Sequence, residues 1–164
     1  MITLADITAA RSRVQGVLRP TPVRPSDSLS RLAGRPVWLK TEHQQRTGSF
    51  KIRGAYNRIC QLPAEVEVVA ASAGNHAQGV ALAAALTGHR STIFMPRGAA
   101  LPKVEATRGY GAVVRLEGET VDECIGAARA FAADGGAVFV PPFDDHDIIA
   151  GQGTLGLELA DEAA

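Results

Sequence analysis

From about residue 66 to residue 141 the chain repeats one pattern, a short apolar run followed by a longer helix-like run, and few folds satisfy it. VEVVAAS (66–72), STIFM (91–95), AVVRL (112–116) and AVFV (137–140) read as strands. Between them, Asn75–Leu86, Leu101–Arg108 and 120–133 read as helices. The strands are apolar almost throughout instead of alternating with polar residues. A strand is written this way when both of its faces are covered, so the pattern predicts an α/β fold with a parallel sheet flanked by helices. The helix over Asn75–Leu86 is so rich in alanine that it must pack closely. After PPFDDHD a last helix is expected over about 148–162.

The first 65 residues are less regular. Thr3 and Asp6 open a first helix that carries Ile7, Ala10, Val14 and Leu18 on one side. Arg19-Pro20-Thr21-Pro22 ends it, and an irregular stretch is expected as far as Arg35. A short strand over Val37–Leu39 and a helix over Gly48–Leu62 follow. These pieces and the last helix lack a sheet of their own. Apolar positions such as Ile7, Val14, Leu155 and Leu159 are therefore expected to need cover from elsewhere.

Charge narrows the function classes. Lys+Arg and Asp+Glu both number 17, so the net charge is zero and a protein that lives on phosphate contacts with nucleic acid is disfavoured. The longest apolar run, Val80–Leu86, has seven residues, well short of the roughly 18 of a membrane span. The N-terminus MITLADITAARSR does not read as a signal peptide, and Cys60 and Cys124 lack metal spacing. Free thiols in the cytoplasm are expected.

Two short segments stand out chemically. Ser72-Ala73-Gly74-Asn75-His76 follows an apolar strand and opens a helix, a place where free N–H groups and the helix dipole favour an anion. The competing explanation is that Ser72 or Asn75 simply caps the helix. In Thr47-Gly48-Ser49-Phe50-Lys51-Ile52-Arg53-Gly54, Lys51 sits at a helix start between two large apolar residues. That setting disfavours its charged form, as amine chemistry requires. The competing explanation is a surface lysine that lays its stem on apolar neighbours. The chain has only three lysines, Lys40, Lys51 and Lys103, against 14 arginines. Arginine cannot act as an amine nucleophile, so a lysine kept in such a chain is a candidate for chemistry, although for any one of the three codon bias that spared it at random is the better explanation.

Other motifs are weaker. Gly151-x-Gly153-x-x-Gly156 matches a dinucleotide fingerprint but lacks the preceding buried strand and the later acidic residue, and is set aside. Asp144-Asp145-His146-Asp147 has the composition of a metal site, yet reads better as a solvated loop and helix start, so no metal is expected.

Taken together, TGSFKIRGAYNRI, SAGNHAQGVALAAA and PPFDDHDIIAGQGTLGLEL, in that order, resemble the fold-type-II pyridoxal-phosphate enzymes, of the tryptophan synthase β type. Among these they are most similar to the threonine/serine dehydratases (threonine ammonia-lyases), whose relatives include serine racemase. The resemblance covers nearly the whole chain from RPTPVRPSDSLS onward. It implies that Lys51 forms the imine with pyridoxal 5'-phosphate, that Phe50 packs beside the cofactor ring, and that Asn75 bonds the cofactor's phenolic oxygen. It further implies that Ser72, Gly74, Asn75 and His76 hold the substrate carboxylate. The implied reaction is β-elimination from L-threonine or L-serine to a 2-oxo acid and ammonia.

Two departures qualify this. Serine racemases carry a serine where this loop has Ala73, so elimination is favoured over racemisation. Family members also continue well beyond the equivalent of Ala164, where a glycine-rich phosphate loop and most of the large domain's sheet lie. The expected organisation is therefore an N-terminal part of the large domain over 1–65, a complete small domain over 66–145, and a helix over 146–164 returning to the large domain. A chain of this extent is expected to bind the cofactor poorly by itself. The alternative from a different class is a non-catalytic or partner-dependent remnant. An amino-acid substrate is expected, with a homo-oligomer or a C-terminal segment supplied in trans as the protein partners.

Overall fold

The computed structural model describes residues 1–163, so the last residue of the expected 146–164 segment lies outside the described residues. Helix α1 (Leu4–Val14) begins as expected. The Thr3 hydroxyl accepts from the Asp6 N–H while the Asp6 carboxylate accepts from the Thr3 N–H, a reciprocal cap. The stretch expected to be irregular instead holds strand β1 (Val23–Pro25) and helix α2 (Asp27–Ala33). Both escape a periodicity argument for the same reason. Helix α2 buries no residue and β1 is three residues long and mostly exposed, so neither writes an apolar pattern. The local punctuation for α2 is nevertheless present: Ser26 caps its start by accepting from the Leu29 N–H, and Gly34 ends it in the left-handed conformation.

Strand β1 pairs antiparallel with β2 (Trp38–Lys40). A 3-10 turn (Glu42–Gln44) leads to α3 (Lys51–Ile59). The regular part then runs as expected: β3 (Val68–Ala71), α4 (Asn75–Thr87), β4 (Ser91–Met95), α5 (Leu101–Gly109), β5 (Val113–Leu116), α6 (Val121–Gly135), β6 (Val138–Phe139) and α7 (His146–Ala163).

The four later strands form a wholly parallel sheet in the order β5-β4-β3-β6. Successive side chains of a strand point to opposite faces, and the core divides accordingly. Val68, Ala70, Ile93 and Met95 meet Ile52, Ala55 and Ile59 of α3, together with Ala77, Val80 and Ala84 of α4. Val69, Ala71 and Phe94 meet Cys124, Ala128 and Phe131 of α6. Every residue of β3 and β4 is buried, which is why their sequences show no polar alternation.

Helix α7 does not return uncovered. It packs on α3 and α1, and two glycines make the approach possible. A Cβ on Gly151 would stand 2.6 Å from the Arg53 carbonyl oxygen, and one on Gly54 would stand 2.8 Å from the Ile148 carbonyl oxygen. Ile7 rests against Gly153, and Val14 is buried, so of the positions expected to need cover these two find it inside the chain. Leu159 stays exposed. With Val23, Trp38 and Glu162 it lines a cavity of about 640 Å³.

Candidate active site

Strand order reverses at β3, which has β4 on one side and β6 on the other although β4 follows it in sequence and β6 comes last. Chain leaving the carboxyl ends of β3 and β6 therefore diverges and opens a crevice, the usual ligand site of an open α/β sheet. The segment leaving β3 is Ser72-Ala73-Gly74, entering α4. The segment leaving β6 is Val140-Pro141-Pro142, leading towards α7.

Lys51 reaches the second of these segments. Its Nζ donates to the Pro142 carbonyl at 2.7 Å. Burial holds its pKa below the usual lysine value. The other two lysines differ. Lys40 is paired with Glu158 at 2.9 Å and Glu162 at 2.6 Å. Burial would lower its pKa, but the two carboxylates more than offset this and hold it above the ordinary value. Lys103 donates to Asn75 Oδ1 at 3.1 Å. Burial thus favours the free amine of Lys51, whereas the carboxylates favour the charged form of Lys40.

The capping explanation of the first segment does not hold. Gly74 is the cap residue of α4 and no side chain caps the helix. Ser72 Oγ instead accepts from the Gly74 N–H at 3.1 Å and closes the turn. The first-turn N–H groups of α4 therefore have no side-chain cap, with Asn75 exposed and Ser72 and Gly74 half-buried beside them.

His76 is placed differently from a carboxylate-binding side chain. Its ring is 3% exposed, and Nε2 lies 3.0 Å from the Val140 carbonyl oxygen. A carbonyl only accepts, so Nε2 carries the proton. Burial first, and then the nearby Lys51 charge, push its pKa down to about 4, with the Val140 bond opposing them. The imidazole is neutral near pH 7 and ties the two segments together. What His76 can offer an anion is its backbone N–H. Phe50 is 38% exposed, with its ring centroid 5.4 Å from Lys51 Nζ, which gives the amine an open apolar neighbour.

The chemistry of this donor set can be tested against the cofactor. A desolvated amine without a carboxylate partner can attack an aldehyde, a phenyl ring can flank a heteroaromatic ring, and uncapped N–H groups can hold a carboxylate. The chemistry of Lys51, Phe50 and Asn75 fits what the amine and ring side of pyridoxal phosphate requires.

The remaining motifs prove structural. Asp145 Oδ1 accepts from the Asp147 and Ile148 N–H groups at 2.9 and 3.0 Å and so caps α7, while Asp145 and Asp147 face Arg58. Among the described residues no group of three or more His, Cys, Asp or Glu is placed to hold a metal ion. The glycines of Gly151-x-Gly153-x-x-Gly156 lie inside α7, where the first two admit neighbouring helices.

A buried cation escaped the sequence argument. Arg53 is fully buried, and all five of its N–H donors are used. Nε and Nη2 grip Glu42 at 2.8 and 2.9 Å, Nη1 and Nη2 grip Glu158 at 2.7 and 2.9 Å, and Nη1 also reaches Thr154 Oγ1 at 3.2 Å. Its partners Glu42 and Glu158 lie 11 and 105 residues away in sequence, so no local spacing announces them.

A parallel sheet with a strand-order reversal and a desolvated lysine beside it define an α/β protein with a ligand site of the open-sheet kind. The chain belongs to the family described as pyridoxal-phosphate dependent enzyme, which matches residues 14–164. It is 52% identical over 165 residues to an L-threonine ammonia-lyase of Thermotoga maritima, covering 99% of this chain and 41% of that protein. Among solved structures, a threonine deaminase from the organism abbreviated T.th. superposes with a TM-score of 0.89 at 42% identity, covering 98% of this chain and 52% of that one. A pyridoxal 5'-phosphate-dependent aspartate racemase gives 0.92 at 35% identity, covering 98% and 51%. The chain thus spans about half the length, or somewhat less, of the relatives it matches. No helix among the described residues is long and apolar enough to cross a membrane.

Proposed function

We propose that this chain carries the lysine and carboxylate-binding halves of a pyridoxal-phosphate-dependent ammonia-lyase, which converts L-threonine or L-serine to a 2-oxo acid and ammonia. The observation that carries this reading is the Lys51 amine. It is desolvated, bonded to a carbonyl instead of a carboxylate, and set in the crevice that the uncapped end of α4 faces. The names of the Thermotoga ammonia-lyase and the T.th. deaminase support threonine as substrate.

When bound, the cofactor supplies an electron sink for charge developing at the substrate's Cα. The chain's own residues do the rest. Lys51 would be the attachment amine, and as a free amine its Nζ would accept the Cα proton, with Pro142 O as the acceptor that orients it. The backbone N–H groups at the start of α4, with Ser72, Gly74, Asn75 and His76, fix the substrate carboxylate and hence the Cα bond presented to Lys51. Asn75 holds the cofactor's phenolic oxygen and Phe50 flanks its ring. Ala73 has no group that could return a proton on the far side, so the site favours elimination.

In this reading residues 1–65 and α7 belong to a larger domain and 66–145 to a smaller one, with the rest of the larger domain supplied by further chain or in trans. We assign the reaction to the cytoplasm, a compartment that suits the free thiols Cys60 and Cys124.

The test is direct. The chain is incubated with pyridoxal phosphate, reduced with borohydride, digested and mapped by mass spectrometry. Modification at Lys51 alone is expected. Labelling at Lys40 or Lys103 in its place would overturn the assignment.

A further inference from the structure

We propose that Arg53 is a positioning residue for Lys51, holding α7 against α3 so that the Pro142 carbonyl stays within reach of the Lys51 amine. The inference rests on the reading of Lys51 as the reactive amine and goes beyond it, since Arg53 touches neither the crevice nor the amine.

The geometry links them through α7. Arg53 lies two residues after Lys51, which on a 3.6-residue helix places the two side chains on nearly opposite sides. Lys51 faces the crevice, and Arg53 faces the 3-10 turn and α7. Its guanidinium takes Glu42 with two bonds and Glu158 with two more, so neither partner can slide without breaking a pair. Thr154, one turn before Glu158, accepts the fifth donor. Gln152, on the same helix, packs within 3.0 Å of where a Gly54 Cβ would stand, and its Nε2 lies 3.5 Å from Pro142 O. That oxygen is also the acceptor of Lys51 Nζ at 2.7 Å.

On the other side of α3, α4 packs so closely that a Cβ on Gly79 would stand 3.1 Å from the Lys51 carbonyl carbon. Helix α3 is thus held between two close contacts, and the Arg53 fork sets its axial position relative to α7. A lysine at position 53 would keep the charge but lose the planar fork that sets this register.

Lys40 provides the contrast. It bonds the same Glu158, and Glu162, but from β2, and its further hydrogen bond goes to the Thr21 carbonyl and not to Pro142. If any loosening of the ion network disturbs Lys51, Lys40 variants should do so as well. If Arg53 acts by register, they should not.

The experiment reads Lys51 itself and needs no cofactor. Acetic anhydride labelling is followed by peptide mass spectrometry across a pH series, which gives the midpoint at which Lys51 becomes reactive. It is run on the wild type and on Arg53→Lys, Glu158→Gln and Lys40→Gln, with melting followed by circular dichroism. In the wild type the midpoint lies below that of an ordinary lysine. Arg53→Lys is expected to move it upward into the ordinary range, and Glu158→Gln to move it part of the way while remaining folded at the assay temperature. Lys40→Gln is expected to lower the melting temperature and leave the midpoint in place.

An unchanged midpoint in folded Glu158→Gln would overturn the proposal, whether or not Arg53→Lys folds. So would a shift in Lys40→Gln equal to that in Glu158→Gln. Failure of Lys51 to be trapped with pyridoxal phosphate is a separate result and would count against the proposed function alone.

Discussion

Lys51, His76 and Ala73 show how much a single side chain decides at the edge of one crevice. Lys51 is expected to be indispensable: Lys51→Arg keeps a cation at the same place but offers no amine that can be freed of its proton, so cofactor trapping by borohydride should vanish. His76 makes a stability prediction whose sign is fixed by its burial. Its folded pKa is about 4 against an unfolded value of 6.5, so between those limits the unfolded state binds the extra proton and stability rises with pH. Acidification from pH 6.5 to 4 should therefore cost about 3 kcal/mol at this one residue. Urea denaturation across that range should show the slope in the wild type and a flatter profile in His76→Asn. Ala73 bears on outcome instead of stability. With the cofactor site complete, Ala73→Ser should raise racemisation of serine relative to pyruvate formation, measured by chiral chromatography beside a keto-acid assay. An unchanged ratio would show that position 73 does not control the fate of the Cα proton.

Helices α3 and α7 approach closely, and the contact is made by backbone at Gly54 and Gly151. The glycines that mimic a nucleotide fingerprint differ in what a side chain would meet: a Cβ on Gly151 would meet the Arg53 carbonyl, one on Gly153 would meet Ile7, and one on Gly156 would meet nothing within 4 Å. The three substitutions should therefore differ although they lie on one helix. Gly151→Ala forces backbone apart and should destabilise by about 1–3 kcal/mol. Gly156→Ala fills open space on an exposed face and should be neutral or stabilising by up to about 1 kcal/mol. Equal effects in chemical denaturation would mean that the contact is less tight than the distances indicate. Elements differ just as much in what they disclose beforehand. Helices α4, α5 and α6 were legible because apolar strands frame them, whereas α2 buries nothing and left only its caps to read.

Across the whole molecule, stability should be graded from the parallel sheet outward. Strands β3 and β4 are fully buried and share one core with α3 and α4, while β1 and β2 form a two-stranded pair with Trp38 61% exposed. Amide hydrogen exchange should be slowest over Val68–Ala71 and Ser91–Met95 and fastest over Val23–Pro25 and Trp38–Lys40. Because Ile52, Ala55 and Ile59 belong to that core, α3 should exchange with the sheet and not with β1 and β2. The lysine-bearing helix is thus braced by the most stable part of the chain, as a group that must meet its partners within tenths of an ångström requires.

The order of strands and helices from residue 66, a helix opening near Lys51 (read over Gly48–Leu62 and found over Lys51–Ile59) and the turn at Gly74 were determined by the sequence alone. Each rests on local rules, namely apolar runs, glycine and the free ends of helices, which act over a few residues and need no partner. The candidate amine and anion site were legible for the same reason. The pairing of β3 with β6, the burial of the His76 ring against Val140, the role of Pro142 as acceptor and the five-fold satisfaction of Arg53 were decided only in three dimensions. Those contacts join residues tens to a hundred positions apart. Their energies come from desolvation and hydrogen-bond geometry, quantities that do not exist until the chain has closed on itself.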